Sequence, residues 1–235
     1  MTLTLITGAA GALGSTLART LANKGHTLGL IDTMHGAARL AEIAGELKGR
    51  AFCKAADFVN ADDLSTSLRA IEKEANATFT GAVLVAGGWR GGKPLHETVE
   101  ADYRAMMNSN VDTVYMALRA LLPGMVERAH GSVVVIGSRN VERPWTGANA
   151  AAYTAAKSAA VALANSSAAE VLAHGVRVNS VLFSTMDTPA NRRSMPDANP
   201  QNWVSLESAS AVISFLLSDE SRDVSGAEIP VYGRA

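Results

Sequence analysis

The stretch LTLITGAAGALGSTLARTLANKGHTLGLID, residues 3–32, decides the fold. It opens with a short β-rich run, Leu3–Thr7, and passes through a glycine turn into a helix with three leucines on one stripe. A second apolar run, Thr27–Ile31, follows and ends on Asp32. This order of strand, glycine turn, helix, strand and acidic residue predicts a βαβ unit that binds a dinucleotide. A lone glycine triplet would indicate only a turn, so the flanks carry the prediction.

The residue types in this unit indicate how a dinucleotide would be held. Glycines let the backbone turn tightly and approach a pyrophosphate, and the helix that follows offers free N–H groups and its positive end. Asp32 can accept hydrogen bonds from ribose hydroxyls and would repel a 2′-phosphate, and the next residue is Thr33 rather than an arginine. We therefore expect NAD(H) to be preferred over NADP(H). The predicted cofactor residues here are Gly8, Gly11, Ala12, Leu13, Gly14 and Asp32.

Strand and helix patterns alternate along the rest of the chain, without a repeat, a linker or a break in composition. This alternation predicts one doubly wound α/β domain over residues 1–235, with a seven-stranded parallel sheet flanked by helices on both faces. Strands are predicted near 3–7, 27–31, 51–53, 81–87, 131–138, 176–182 and 226–232, and helical patterns at 37–48, 61–75, 99–128 and 147–174.

Ligands of such sheets bind outside the carboxyl ends of the strands. The long irregular segment Phe183–Ser205 is expected to be a lid or binding loop, the alternative being a disordered excursion. Asp57, just past the third predicted strand, could reach an adenine edge, or it could be a solvated loop residue. The residues expected at the strand ends are Gly8, Asp32, Asp57, Gly87, Ser138 and Thr185.

The alanine-rich helix of residues 147–174 carries Tyr153 and Lys157 four residues apart, and therefore on one face. An ammonium beside a phenol favours the phenolate, so we expect Lys157 to lower the pKa of Tyr153. Tyr153 would then exchange protons near neutral pH. An ordinary surface tyrosine and lysine is the alternative interpretation, because one such spacing is weak evidence of a site.

Composition excludes several classes of protein. The formal net charge is −1 and no basic block occurs, so no nucleic-acid partner is expected. No apolar run approaches about 18 residues, so no membrane span is expected. Five scattered histidines show no metal-ligand spacing, so no metal is expected. The single cysteine, Cys53, suits a reducing compartment, and a cytoplasmic location is expected.

From Leu3 to Gly233 the chain resembles the short-chain dehydrogenase/reductase family, whose fold is a Rossmann-type domain. The matching pieces, in family order, are TGAAGALG, Asp32, Asp57, Asn110–Val111, GSVVVIGS, AAYTAAK, GVRVNSV and SGAEIPVYG. The resemblance implies that Ser138 binds the substrate carbonyl, Tyr153 transfers the proton, Lys157 binds the nicotinamide ribose and Asn110 holds a relay water. It also implies a homo-oligomer, a dimer or a tetramer. The further predicted cofactor residues are Asp57, Phe58, Ala86, Gly87, Gly88, Tyr153, Lys157, Thr185 and Thr188.

Departures from the family pattern point to one branch. The glycine motif reads G-x-x-G-x-x-G, residues 85–88 read Val-Ala-Gly-Gly where Asn-Asn-Ala-Gly is usual, and Phe183-Ser184 replaces Pro-Gly. Asn140 occupies the customary serine spacing, but Ser138 ends the strand and is preferred. The segments VAGGWRGG and DTPANRRSMPDANPQNW resemble dihydropteridine reductase, an NADH-dependent branch that reduces quinonoid pterins and lacks the catalytic serine.

The leading hypothesis is an NAD(H)-dependent oxidoreductase that transfers hydride between nicotinamide and a small carbonyl or alcohol substrate. Two alternatives remain open: reduction of a quinonoid pterin, with Trp89 stacking on the flat ring, and a regulator that senses NAD(H) without turnover. A small-residue face of the 147–174 helix, Ala152, Ala159 and Ser166, is expected to pack against a second copy. The residues predicted to contact substrate are Trp89, Ser138, Trp145, Phe183 and Arg192.

Overall fold

One parallel sheet carries the fold of residues 2–234, the part of the chain that this computed structural model describes. The strand order is β3-β2-β1-β4-β5-β6-β7, and every pair is parallel. The chain therefore winds outward in both directions from the β1–β4 pair, and the predicted seven-stranded parallel sheet is confirmed. In chain order the strands are β1 Leu3–Thr7, β2 Thr27–Asp32, β3 Ala51–Ala55, β4 Phe79–Leu84, β5 Gly131–Ser138, β6 Val176–Phe183 and β7 Glu228–Val231.

Helices cover both faces of this sheet. α1, α2 and α9 bury their apolar stripes in one core layer, and α3, α5 and α7 bury theirs in the other. The central strands lie between the two layers, which is why β1 and β5 are buried at every residue and consist largely of apolar side chains. The helices are α1 Ala12–Asn23, α2 Ala37–Glu46, α3 Ala61–Ala75, α4 Glu100–Met107, α5 Thr113–Glu127, α6 Arg139–Glu142, α7 Ala151–Val171, α8 Pro189–Ser194 and α9 Leu206–Leu217.

The fourth strand ends earlier than its apolar run predicts. β4 stops at Leu84 instead of reaching Gly87, and, two residues on, the backbone N–H of Ala86 donates to the Thr7 side chain, Oγ1, at 3.1 Å. This bond turns the chain away from the sheet, and residues 85–88 become a loop above the end of β1. Conversely, β3 runs two residues beyond the predicted Cys53, to Ala55.

The helical pattern predicted over residues 99–128 is divided at its centre. α4 ends at Met107, a π-helical turn spans Asn108–Asp112, and α5 begins at Thr113. Such wide turns occur mostly as single insertions in α-helices, often at functional sites. The predicted helix at 147–174 starts later, at Ala151, because Asn149 adopts a left-handed backbone with φ of 63°.

The segment 183–205 is more ordered than its sequence indicates. It contains α8 and a short 3₁₀ turn, Pro200–Asn202, and a parallel bridge joins Met186 to Val204. The bridge closes the base of the segment, so the excursion is a folded loop. Whether it acts as a lid stays a prediction.

The predicted packing face of α7 needs one correction. Ala152 is buried, with the apolar side chains of Met106 and Ala156 in the same cluster, so it faces the protein interior. The exposed positions of the helix that carry small side chains are Ala155, Ala162, Ser166 and Ala169. α7 therefore has an exposed face of small side chains, as expected, but apart from Ser166 that face consists of other residues than the predicted ones.

Candidate active site

The glycine turn after β1 lies where two backbones come closer than side chains would allow. Gly8 has φ of +63°, and a Cβ there would lie 2.9 Å from backbone atoms of Ala86. A Cβ at Gly14 would lie 2.4 Å from the Gly8 carbonyl oxygen. The first turn of the α1 helix therefore packs directly against the glycine turn. Its leading N–H groups lack helical partners, and Gly11 at the N-cap has no side chain to cap them.

Asp32 holds this turn in place from the end of β2. Its Oδ2 accepts a hydrogen bond from Ala10 N at 2.8 Å, and its Oδ1 accepts one from Thr33 N at 2.8 Å. A Cβ at Gly36 would lie 2.7 Å from Oδ1, so a glycine leaves room for the carboxylate. Asp32 thus links the glycine turn to the tip of β2. Oδ1 also accepts from Thr33 Oγ1 at 3.4 Å, while Oδ2 keeps a further lone pair for a ligand.

An open cleft of about 720 Å³ runs over the carboxyl ends of β1, β2 and β4. Its volume and its lining of glycine backbone, helix N–H groups and the carboxylates of Asp32 and Asp57 fit a dinucleotide. Nine predicted cofactor residues line it: Gly8, Gly11, Ala12, Leu13, Asp32, Asp57, Phe58, Ala86 and Gly87.

Six predicted cofactor residues lie outside this lining: Gly14, Gly88, Tyr153, Lys157, Thr185 and Thr188. Gly14 is buried under the turn, and Gly88 faces the Ser109 side chain. Thr185 accepts a backbone bond from Val204 N, and Thr188 Oγ1 caps α8 by accepting from Asn191 N at 3.1 Å. The last two belong to the 183–205 segment, so their predicted contact with a cofactor stays a prediction.

Sequence reasoning missed part of the cleft wall. His35 and Gly36 follow Asp32 closely, so their proximity in sequence was a usable signal. The residues at the junction of α4 and α5 reach the cleft only because the fold brings this junction alongside the end of β4. No local sequence pattern predicts that placement. The missed residues are Ala10, Thr33, His35, Gly36, Val59, Val85, Ala105, Asn108, Ser109 and Thr113.

Ser138 and Tyr153 are brought together beside this cleft. Ser138 is the last residue of β5, and its hydroxyl accepts a bond from Asn140 N at 3.3 Å, capping α6. Tyr153 lies in the first turn of α7 and packs near Met106 and Ala156. Burial raises the pKa of the Tyr153 phenol, and the neighbouring Ser138 hydroxyl opposes that rise. The phenol is therefore protonated at neutral pH.

Lys157 does not act on Tyr153 as the sequence predicts. Its side chain is buried, and its Nζ donates to the carbonyl oxygen of Ile136 at 2.8 Å. Burial lowers the pKa of Lys157 to about 8. The prediction that Lys157 lowers the pKa of Tyr153 is wrong, because desolvation of the phenol dominates that pKa and raises it.

Asn110 is fully buried in the π-helical turn. Its Nδ2 donates to Gly88 O, Met106 O and Ser109 Oγ, each at 3.0 Å. Its Oδ1 is buried without a hydrogen-bond partner among residues 2–234 and lies 2.8 Å from the point a Cβ on Gly87 would occupy. Lys157 Nζ lies 3.3 Å from that same point. An unsatisfied acceptor and an ammonium thus converge on Gly87 at the inner end of the cleft.

The predicted substrate residues divide into three groups. Trp89 and Trp145 are 64% and 75% exposed, which is unusual for tryptophan and leaves both rings available. Arg192 forms a bidentate pair with Asp187, at 2.6 and 2.7 Å. Phe183 is only 3% exposed and belongs to the apolar core under α9, so we withdraw it as a substrate contact.

Two classes of site are not seen among residues 2–234. No three or more His, Cys, Asp or Glu side chains in that range are grouped so that they could hold a metal ion. Within the same range, no helix combines the length and the apolar character needed to cross a membrane.

Comparisons with known proteins identify the family. The family model described as short chain dehydrogenase matches residues 2–199. The chain is 30% identical to 2-(S)-hydroxypropyl-CoM dehydrogenase 3 of Xanthobacter autotrophicus, over 97% of this chain and 94% of that protein. It is 32% identical to galactitol 2-dehydrogenase (L-tagatose-forming) of Cereibacter sphaeroides, over 97% and 92% of the two chains.

A solved structure gives the same result. A 3-oxoacyl-(acyl-carrier protein) reductase with bound NAD from Brucella melitensis has a TM-score of 0.86 and 26% identity, over 99% of this chain and 90% of that one. The chain therefore belongs to the short-chain dehydrogenase family. It is an oxidoreductase with a Rossmann-type domain.

The buried ammonium of Lys157 predicts a particular dependence of stability on pH. The folded pKa of about 8 lies below the ordinary value of 10.5, so between these values the unfolded chain holds a proton that the folded chain has released. The free energy of unfolding contributed by Lys157 therefore rises with pH in this window and is constant below it. We expect urea unfolding between pH 7.5 and 10 to show this rise in the wild type and to lose it in Lys157→Met. The matched control, Lys73→Met on the exposed side of α3, should keep it. Parallel curves for wild type and Lys157→Met would contradict the prediction.

Proposed function

We propose that the chain is an NAD(H)-dependent dehydrogenase or reductase that transfers hydride between nicotinamide and a small carbonyl or alcohol substrate, with Tyr153 as general acid and base. The observation that carries this proposal is the pairing of Ser138 and Tyr153 at the end of β5, beside a cleft that fits a dinucleotide. The same pairing argues against a sensor without turnover, because binding a nucleotide requires neither side chain.

Each side chain of the site has a separate proposed role in the reaction. NADH, when bound, supplies the hydride. The Ser138 hydroxyl accepts a bond from Asn140 N and so keeps its own proton free to donate to a substrate carbonyl oxygen. The Tyr153 phenol, protonated at neutral pH, suits proton donation to the same oxygen. We assign the nicotinamide ribose to Lys157 and a relay water to the free Oδ1 of Asn110.

NAD(H) is the cofactor we propose over NADP(H). The carboxylate of Asp32 lines the cleft at the end of β2, where it can accept bonds from ribose hydroxyls and repels a 2′-phosphate. The nearest residues along the chain, Thr33 and Met34, supply no cation to offset that repulsion.

A second candidate substrate is a quinonoid pterin, and Trp89 favours it. The ring of Trp89 lies over Gly91 and near Ala150, since a Cβ on Gly91 would lie 2.8 Å from the ring and 3.1 Å from Ala150 Cβ. Gly92 N donates to Asn149 O at 2.8 Å, which joins this loop to the start of α7. A flat, exposed ring near the start of α7 could stack on a bicyclic substrate.

We also propose a homo-oligomer, supported by the small exposed side chains of α7. The positions are Ala155, Ala162, Ser166 and Ala169, and they allow close helix packing. Light scattering at micromolar concentration should give the mass of two or four chains, and a single 24.5 kDa species would contradict this. A cytoplasmic location stays a proposal that rests on the lone Cys53.

Cofactor preference provides the next test. The wild type should favour NADH over NADPH at least tenfold in kcat/KM, because tenfold needs only about 1.4 kcal/mol. Asp32→Asn keeps an oxygen that can accept from Ala10 N but removes the charge, so it should lose most of the preference and retain activity with NADH. Asp32→Ser also shortens the side chain, so that its hydroxyl no longer reaches Ala10 N, and it should raise the KM for both cofactors. Comparable wild-type kinetics with the two cofactors would refute the proposal.

Removing the Tyr153 hydroxyl tests the proposed chemistry. Tyr153→Phe should lower kcat by roughly 10²–10⁴-fold with little change in NADH affinity or stability, because only one oxygen is lost. Tyr115→Phe, the same change on an exposed part of α5, is the control and should leave kcat unchanged. Near-full activity of Tyr153→Phe would show that the assignment is wrong.

Ser138→Ala separates the two candidate substrates in the same assays. A large loss of kcat with carbonyl substrates supports a carbonyl-binding role for the Ser138 hydroxyl. A small loss, with a quinonoid pterin as the best substrate, supports the pterin activity.

A further inference from the structure

We propose that Ser109 is a positioning residue that fixes the direction of the Asn110 amide, and that Gly87 leaves the space into which the amide oxygen points. This inference rests on the proposed function, because it assigns a purpose to the free Oδ1 of Asn110. It adds a residue that neither the sequence motifs nor the family resemblance singles out.

The hydrogen-bonding inventory gives Ser109 this role. Ser109 Oγ donates its only proton to Ala105 O at 2.7 Å, so toward Asn110 it can act only as an acceptor. The bond of 3.0 Å between Ser109 Oγ and Asn110 therefore requires the NH₂ end of the amide on that side. The other neighbours of Nδ2 are the carbonyl oxygens of Gly88 and Met106 and, at 3.9 Å, the Met106 Sδ, and all of them are acceptors. Four acceptors thus surround one end of the amide, and Oδ1 is directed to the opposite side.

Ser109 is itself held by the π-helical turn. Thr113 Oγ1 donates to Ser109 O at 2.9 Å, across the turn from the bond to Ala105 O. One side-chain bond therefore runs from Ser109 into α4, and another reaches its backbone from α5. These two bonds stabilise the π-helical turn that contains Asn110. A rotated Asn110 amide would therefore face a turn that is tied to both α4 and α5.

The opposite side of the amide is kept open by Gly87. Alanine is usual at this position in the family pattern, but here a Cβ would lie 2.8 Å from Asn110 Oδ1 and 3.3 Å from Lys157 Nζ. Contacts below 3.0 Å require something to move, and both neighbours are buried. The glycine therefore lets the acceptor oxygen and the ammonium approach one point next to the cleft. Gly88 contributes on the other side, since a Cβ there would press on Ser109 Oγ at 3.1 Å.

The consequence is a directed acceptor at the inner end of the cleft. If Asn110 were free to turn over, its NH₂ end would face Lys157, and two donors would meet with no acceptor between them. The Ser109 bond disfavours that arrangement together with the bonds to the carbonyl oxygens of Gly88 and Met106. An Oδ1 held toward Lys157 can accept from the ammonium or from a water that the ammonium also contacts.

A double-mutant cycle on Ser109 and Asn110 tests the proposal. The readouts are kcat and its solvent deuterium isotope effect, measured in the wild type, Ser109→Ala, Asn110→Ala and the double variant with saturating NADH and substrate. Ser109→Ala should lower kcat about 5- to 10-fold, the size expected when one orienting hydrogen bond is lost. It should raise the isotope effect, because proton delivery becomes slower. The double variant should be no slower than Asn110→Ala alone.

Two further variants distinguish positioning from a general structural role. Ser109→Thr keeps the hydroxyl and should restore kcat and the isotope effect. Ser65→Ala removes a comparable serine bond to a helix carbonyl, that of Asp62 O at 3.2 Å on the solvent side of α3, and should change neither readout.

The outcomes separate this inference from the proposed function. Additive losses in the double variant, or no loss in Ser109→Ala while Asn110→Ala is slow, would overturn the role of Ser109 alone. Normal kcat and a normal isotope effect in Asn110→Ala would overturn the relay that the proposed function assigns to Asn110. In that case the double variant would show no coupling either.

Discussion

The close approach of two backbones at the carboxyl ends of β1 and β4 is the constraint on which the site depends. Gly8 lies so close to the backbone of Ala86 that position 8 has no room for a side chain. Thr7 Oγ1 accepts a hydrogen bond from the backbone N–H of Ala86. The chain leaves the sheet there, so residues 86–88 rise between the glycine turn and the α4–α5 junction. One wall of the cleft and the contact with Asn110 both follow from this departure.

Burial has one electrostatic effect on two side chains of opposite charge type. Desolvation disfavours the charged form of any group, so it lowers the pKa of Lys157 and raises the pKa of Tyr153. The pair therefore tends toward a neutral phenol and a readily deprotonated amine, rather than toward a phenolate beside an ammonium. Functional sites are where folded proteins retain such unfavourable burial.

The polar residues of the site share one pattern of hydrogen bonding. Each uses part of its hydrogen-bonding capacity to hold backbone and leaves the rest free. Asp32 accepts from two backbone N–H groups, Ser138 accepts from Asn140 N and keeps its proton, and Asn110 commits its NH₂ group while its oxygen has no partner. Bonds to rigid backbone limit side-chain rotation, so the free atoms are pre-oriented before any ligand binds.

The sequence by itself determined the parallel sheet, its seven strands, the glycine turn and the acidic residue at the tip of β2, because apolar runs and glycines report local backbone geometry and burial. Only the tertiary structure decided where β4 ends, that Phe183 lies in the core, and that burial rather than Lys157 governs the Tyr153 pKa. It also decided the direction of the Asn110 amide, through the π-helical turn and Ser109. These features depend on residues far apart in the chain, whose distances and desolvation exist only once the sheet has brought them together.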